Sequence, residues 1–325
     1  MAPDEILETH PSDAGWRADA LAGSRHSRLA DHLVQPIESH DVEQAAVICA
    51  QVSRTVLGDL APALILLHPE WRQRVQALTA YGLTLFDFAK QTGLEGESLS
   101  QINRWEFELE AALSGEPSGQ PVFVLLATEH SIRPWPVEAL DRLGNAARRR
   151  ITSRRPSTAT ALDRQARELG GAIVASLVED GSTPALDSFA AALLRIRALQ
   201  DLTHSLRRHQ ATLPVDELAD SWDPGSKADG RQLDLAIGGE GERIHALLAD
   251  ASKAVSEAPL PMRSTAAYLL LAGRRLLAEI EERGAGIVER PPQLGFVSRV
   301  GLLLRAASSP TLLPLVFSRR RGSPG

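Results

Sequence analysis

Residues 68–93 read HPEWRQRVQALTAYGLTLFDFAKQTG. Pro69 stands near the start and Gly93 just past the end, the asymmetry expected of helix boundaries. Apolar residues recur between them at helical spacing. The later part, ALTAYGLTLFDFAKQ (77–91), is apolar around a single acid, Asp87. A lone carboxylate is expensive to desolvate and requires a partner, a metal or a solvent-filled cavity. The stretch therefore predicts a buried helix, and Asp87 asks what it was placed to hold.

The neighbouring segments share this character. DVEQAAVICAQVSRTVLGDL precedes it with helical spacing, and SLSQINRWEFELEAALSG follows, opening on a serine cap and closing at Gly115. The connection EPSGQP leads into VFVLLATEHSI, a run that passes for a strand in isolation but is expected to be helical among helices. PWPVEALDRLGNAARRRIT and STATALDRQARELGGAIVASLVEDG continue the pattern. The second of these carries Gly170 and Gly171 in its interior. Two adjacent helical glycines cost roughly 2 kcal/mol by propensity, so something is expected to approach the backbone there. TPALDSFAAALLRIRALQDLTHSLRRHQA reads as one long amphipathic helix. DSWDPGSKADGRQLDLAIGGEG (220–241), rich in Gly and Asp, reads as a polar loop. RIHALLADASKAVSEA and PMRSTAAYLLLAGRRLLAEIEERG then resume the helices.

These readings divide the chain into a loosely ordered arm (1–40), a domain of about eight to ten helices (41–310) with the 220–241 loop inside it, and a basic, disordered tail (311–325). Composition agrees with an all-α class. Of the 325 residues, 43% are hydrophobic and only 4% aromatic, so the core relies on Leu, Ala, Ile and Val. The net charge of −6 gives no footprint for nucleic acid. One cysteine, Cys49, excludes an internal disulfide framework or a Cys-based metal site, and implies a reducing compartment. The first twenty residues have acids where a signal peptide needs a basic segment, and the longest apolar runs fall short of a membrane span. The expectation is a cytoplasmic protein with at most peripheral membrane contact.

The order of segments resembles the squalene/phytoene synthase family, the head-to-head prenyltransferases, and within it the bacterial hydroxysqualene-forming members. The resemblance covers about residues 68–306. It rests on HPEWRQRVQALTAYGLTLFDFAKQ as the first metal-binding helix and on INRWEFELEAALSGEPSGQPVFVLLATEHSIRPWPVEALDRLGNAARRRI as the segments after it. It also rests on LDRQARELGGAIVASL as the glycine-kinked helix beside the substrate and on RALQDLTHSLRRHQATLPVDEL as the second metal-binding helix. AAYLLLAGRRLLAEIEERGAGIVERPPQLG resembles the late helix and its basic exit. The resemblance implies the isoprenoid synthase fold, a single helical domain around a central cavity, and a prenyl diphosphate as ligand.

In that family two aspartate clusters on facing helices hold Mg²⁺, and the metal neutralises the departing diphosphate. Relatives read D-D-x-x-D at the first cluster. Here Phe86, Asp87, Phe88, Ala89 and Lys90 stand there, so one acid of three remains. At the second cluster, Arg208 and Thr212 replace the aspartates, Arg207 persists, and the segment before LPVDEL is shortened. A cation at Arg208 repels Mg²⁺. No metal cofactor is therefore expected.

The candidate diphosphate-binding groups are Lys90, Arg207 and Arg208, since Arg and Lys bind phosphate without metal. The simpler alternative is that they neutralise Asp87 across the old cavity. Leu83, Phe86 and Leu202 are the expected apolar wall. Asp201 and His204, three apart, could form an acid–base pair or a structural hydrogen bond. Gly170 and Gly171 would border the ligand. The run AARRRITSRR (146–155) reads as a solvated helix end rather than a nucleic-acid patch. GFVSRVGLLLRAASSPTLLPLVFSRRRG (295–322) reads either as ordinary packing of a last helix or as a segment resting on an anionic membrane. Three functions remain open: a non-catalytic homologue that keeps the prenyl-diphosphate pocket, with an active paralogue or pathway enzyme as its partner; an active prenyltransferase with an arginine-based diphosphate site; or an unrelated helical interaction protein.

Overall fold

The computed structural model describes residues 41–90, 95–152, 158–178, 181–207, 213–214 and 230–308. Among them there are twelve α-helices and no strand. In chain order they are α1 (Val42–Leu57), α2 (Pro69–Lys90), α3 (Glu95–Leu113), α4 (Pro121–Ile132), α5 (Val137–Thr152) and α6 (Ala159–Leu177). The second half holds α7 (Pro184–Gln200), α8 (Leu202–Arg207), α9 (Gly230–Leu247), α10 (Ala251–Glu257), α11 (Arg263–Arg283) and α12 (Phe296–Ala307). Short 3₁₀ segments follow α1 (Gly58–Leu66) and α11 (Gly284–Val288).

Local chemistry sets most boundaries. The Asp41 carboxylate accepts the Gln44 N–H at 2.8 Å, and Thr158 and Thr183 cap α6 and α7 in the same way. Pro121 and Pro184 occupy the first turns of α4 and α7, where their missing N–H costs nothing. At the end of α3, the Glu116 N–H reaches the Ala111 carbonyl and the Gly115 N–H that of Ala112. Gly115 makes this reversal with φ +91°, a conformation that a side chain would resist. VFVLLATEHSI is helical, as its neighbours imply.

Two readings change. The segment 230–241 is the first two thirds of α9, not a loop; residues 220–229 lie outside the described part. Leu233, Ala236, Ile237, Gly241 and Ile244 form a buried stripe at helical spacing, and burial of that stripe outweighs the poor propensity of three interior glycines. Gly241 has a steric reason as well, because a Cβ there would meet Glu281 Oε1 at 2.8 Å. The stretch 183–211, expected as one long helix, is also interrupted: Asp201 ends α7 in a turn, and α8 begins at Leu202. Breaks of this kind raise the helix count above eight to ten.

The core has two halves. Ala45, Tyr81, Leu85, Ile102, Trp105, Phe123, Leu140 and Ile151 anchor one, built from α1 to α5. Ile196, Leu202, Ile237, Ile244, Tyr268, Leu276 and Leu277 anchor the other, built from α7 onward. Helix α6 belongs to both. Its Ala166 lies in the second cluster and its Ala172 in the first, and it packs against α2 as well as α7.

By length and composition alone, the stretch Val42–Leu66 could cross a membrane. In the fold it does not run as one rod. Gly58, at φ +52°, breaks it after α1, and the remainder is a 3₁₀ turn containing Pro62. Ala45, Cys49, Val52 and Ser53 are buried against the first core, which makes α1 a core element.

Candidate functional site

Three positions of α2 carry the resemblance to a metal-binding helix. Residues 86, 87 and 90 share one helix face by their spacing. Phe86 packs on the first core cluster. Asp87 is partly buried and already engaged within the protein. Lys90 ends the helix, and its side chain lies outside the described part. On the other side of α2, Phe88 meets Trp105 edge-on at 5.7 Å, and Trp105 leans on Phe123 at 4.4 Å. Aromatic contacts therefore tie this end of α2 to α3 and α4. Leu83 is buried in the same cluster, whereas Leu202 is fully buried in the second one. The expected apolar wall is thus divided between the two cores.

The acids next along the chain are structural. The carboxylate of Glu106 is clasped by the Arg148 guanidinium, which also reaches Asn103 at 2.7 Å. A Cβ at Gly144 would collide with that carboxylate. Tyr81, buried beside this group, has its hydroxyl pushed up by burial and by the charges of Glu106 and Asp141. Arg149 pairs with Glu168 at 3.1 Å. Two arginines of the 146–155 run are therefore held by carboxylates of this chain, Arg148 half-buried and Arg149 at the surface.

What approaches Gly170 is helix α7. A Cβ there would lie 2.8 Å from the Ala191 nitrogen and 3.1 Å from the Ala190 Cβ. At Gly171 it would meet the Asp187 carboxylate at 3.2 Å. The pair permits the close crossing of α6 and α7, so helix packing alone accounts for its propensity cost.

At the far end of α7, Asp201 pairs with Arg197 at 3.2 Å across one helical turn. The side chains of His204 and Arg207, and all of Arg208, lie outside the described residues. Sequence reasoning missed the residue beside them. The Gln200 amide, buried, donates to Asp59 at 3.2 Å and to the Pro292 carbonyl at 3.1 Å. Its Oε1 finds no partner among the described residues. The Asp59 carboxylate also receives Arg299 at 2.7 Å, and its carbonyl receives the Tyr268 hydroxyl at 3.1 Å. Burial pushes that hydroxyl up to about 12. Thr203 donates to the Val288 carbonyl at 2.8 Å. The Asp59 network joins the 3₁₀ turn after α1 to α7, α11 and α12, and Thr203 ties α8 to the 3₁₀ segment after α11. The available signal was Asp59 itself, an acid within the apolar run GDLAPALILL.

A Mg²⁺ cluster needs several carboxylates converging on one point. Among the described residues no three His, Cys, Asp or Glu side chains are grouped to hold a metal. Asp87 has a phenylalanine where the adjacent acid would stand. The described residues do not fit the metal site of aspartate-rich relatives, and no chemical step is derived through one. Two clefts are open instead at the end of α11. One, of about 310 Å³, is lined by Arg275, Glu279, Glu282, Arg283, Leu294 and Ser298 among others. The second adjoins it at Arg283, Gly286, Glu289 and Arg290. Both mix cations with acids.

The family model for squalene/phytoene synthase matches residues 58–300. The chain belongs to the squalene/phytoene synthase family. No curated protein matches the sequence significantly. Among solved structures, a dehydrosqualene synthase in complex with ligand is similar with a TM-score of 0.66 and 13% identity, over 82% of this chain and 97% of that one. Squalene synthase HpnC from Alicyclobacillus acidocaldarius gives 0.61 and 19%, over 75% and 95%. YisP from Bacillus subtilis subsp. subtilis strain 168 gives 0.59 and 15%, over 81% and 96%. At these identities the likeness establishes the fold, which is the all-α isoprenoid synthase fold implied by the order of segments.

Proposed function

We propose that this squalene/phytoene synthase family member binds a prenyl diphosphate in the cytoplasm without a divalent metal and does not catalyse head-to-head condensation. The observation that carries the reading is the face of α2. Where a metal-binding relative presents acids, this chain presents Phe86 packed on the core, Asp87 already engaged, and Lys90. An isolated carboxylate does not replace the hydration shell of Mg²⁺. The anion-binding groups of this reading are Lys90, Arg207 and Arg208, with Leu83 and Phe86 toward the prenyl chain. An active paralogue or pathway enzyme would be the natural partner of such a protein.

The test has two arms. In EDTA, farnesyl or geranylgeranyl diphosphate should raise the melting temperature more than pyrophosphate does, because a ligand of the native state stabilises it by mass action and each buried methylene adds about 0.8 kcal/mol. Arg207→Gln with Arg208→Gln should remove that shift while leaving helix content intact. Labelled diphosphates with Mg²⁺ should give no C30 or C40 hydrocarbon. Product formation would overturn the non-catalytic reading. Absence of any shift would overturn the pocket and leave a protein-binding scaffold.

A further inference from the structure

Helix α12 has two apolar faces, of which the fold uses one. Arg299 is its anchor, paired with Asp59 at 2.7 Å and donating to the Leu294 carbonyl at 2.8 Å. On the same side Ala306 is fully buried, and Leu302 and Leu303 pack on the second core. This ion pair, with the packed Leu302, Leu303 and Ala306, sets the rotation of the helix about its axis. That rotation leaves Phe296, Val297, Val300 and Leu304 outward, with relative exposures of 79%, 83%, 39% and 68%. Their spacing places all four on one contiguous face. A continuous apolar face of this kind marks a contact with something else.

Charge selects the occupant. From Arg290 to the C-terminus the sequence holds six arginines and no acid, on a chain whose net charge is −6. Arg290 and Arg305 are exposed. Glu279 and Glu282 line the cleft together with Ser298, and Asp59 is taken up by Arg299 on the packed side. By helical geometry Ser298 points roughly opposite to Val300 and Leu304. Helix α12 itself carries no acid. An apolar stripe flanked by arginines is the composition of a helix that lies in the interface of an anionic bilayer.

We infer that α12 docks this protein peripherally onto an anionic lipid surface through Phe296, Val297, Val300 and Leu304. The helix lies flat, its apolar side chains reach the acyl boundary, and the exposed Arg290 and Arg305 meet lipid phosphates. This inference is independent of whether the pocket binds a prenyl diphosphate.

The test uses the full chain and co-sedimentation with vesicles. Phosphatidylcholine–phosphatidylglycerol vesicles should retain the protein, pure phosphatidylcholine should retain it weakly, and high salt should release part of it. Phe296→Asp with Leu304→Asp should lower partitioning at least about tenfold. The melting curve should stay unchanged, because both side chains face outward. Should the acidic pair disturb folding, Val297→Ser with Leu304→Ser supplies the same comparison. Three results would overturn the proposal: no retention on anionic vesicles, retention of the variants equal to the parent, or a dimer in sedimentation equilibrium that the variants convert to monomer. The last would show that a second copy of the chain covers the face.

Discussion

Arg195 of α7 and Glu240 of α9 meet in a two-point ion pair whose side chains are 2% and 1% exposed. Each is further held. Arg195 also reaches Asp163 of α6 at 3.0 Å, and Glu240 accepts from Arg243 at 3.1 Å. Three helices are thus joined by charges removed from water. Removing one partner strands the other, so Glu240→Gln or Arg195→Met should lower unfolding free energy by about 3–5 kcal/mol. Replacing both by Met should recover much of the loss, because no fully buried charge is then left unpaired; Asp163 keeps Arg167, and both Asp163 and Arg243 reach solvent. Urea denaturation of the two single variants and the double variant measures this.

Gly170 and Gly171 should differ in tolerance. A methyl at Gly170 meets backbone of α7, which cannot move without separating the helices, and Gly170→Ala should cost about 1–3 kcal/mol. At Gly171 the neighbour is the Asp187 side chain, which can rotate, and part of the loss is offset by the better helix propensity of alanine. Gly171→Ala should stay within about 1 kcal/mol of the parent. Thermal melts rank the two, and the reverse order would refute the packing explanation.

Magnesium should have no saturable effect on the melting temperature up to millimolar concentration. Asp87→Asn should behave as the parent does in that titration. A saturable rise that vanishes in Asp87→Asn would reveal ligands supplied by segments outside the described residues.

Glu129 supplies a pH signature. It is buried in α4, and burial raises its carboxyl above the ordinary 4.5, opposed by the charges of Arg74 and Arg133. An acid that holds its proton more tightly in the folded state favours folding at low pH. Its contribution falls as pH rises from about 4.5 through the raised folded value. Stability curves of the parent and Glu129→Gln, compared across that window, should therefore diverge. The variant should lack the parent's downward slope.

The punctuation of this fold was legible because it is local. Pro69, Pro121 and Gly115 mark boundaries through their own backbone chemistry, and the structure uses them as read. Helix α9 was not legible over residues 230–241. Gly238, Gly239 and Gly241 have the composition of a loop, and the reason for Gly241 is Glu281, on a different helix. Gly170 showed that something approaches, but not that it is Ala191, because that answer lies on the next helix. The network of Asp59, Gln200 and Arg299 showed locally only as Asp59, an acid in an apolar run; its partners were not legible, since Gln200 is 141 residues away. Asp87 was found as the odd acid of its helix, and the engagement it makes depends on tertiary placement.

Helix α6, shared between the two cores, has a consequence for how the molecule comes apart. Ala166 and Ala172 serve different clusters from a single rod, so neither half can shed its wall without baring the other's. A cut at Gly181, exposed and outside any helix, would hand α6 to the N-terminal fragment and leave the Ala190–Ala191 surface of α7 uncovered. The C-terminal fragment should then be aggregation-prone by itself and rescued by its complement. In the intact chain, heat should melt both halves in one cooperative transition, with no intermediate in which half of the protein persists.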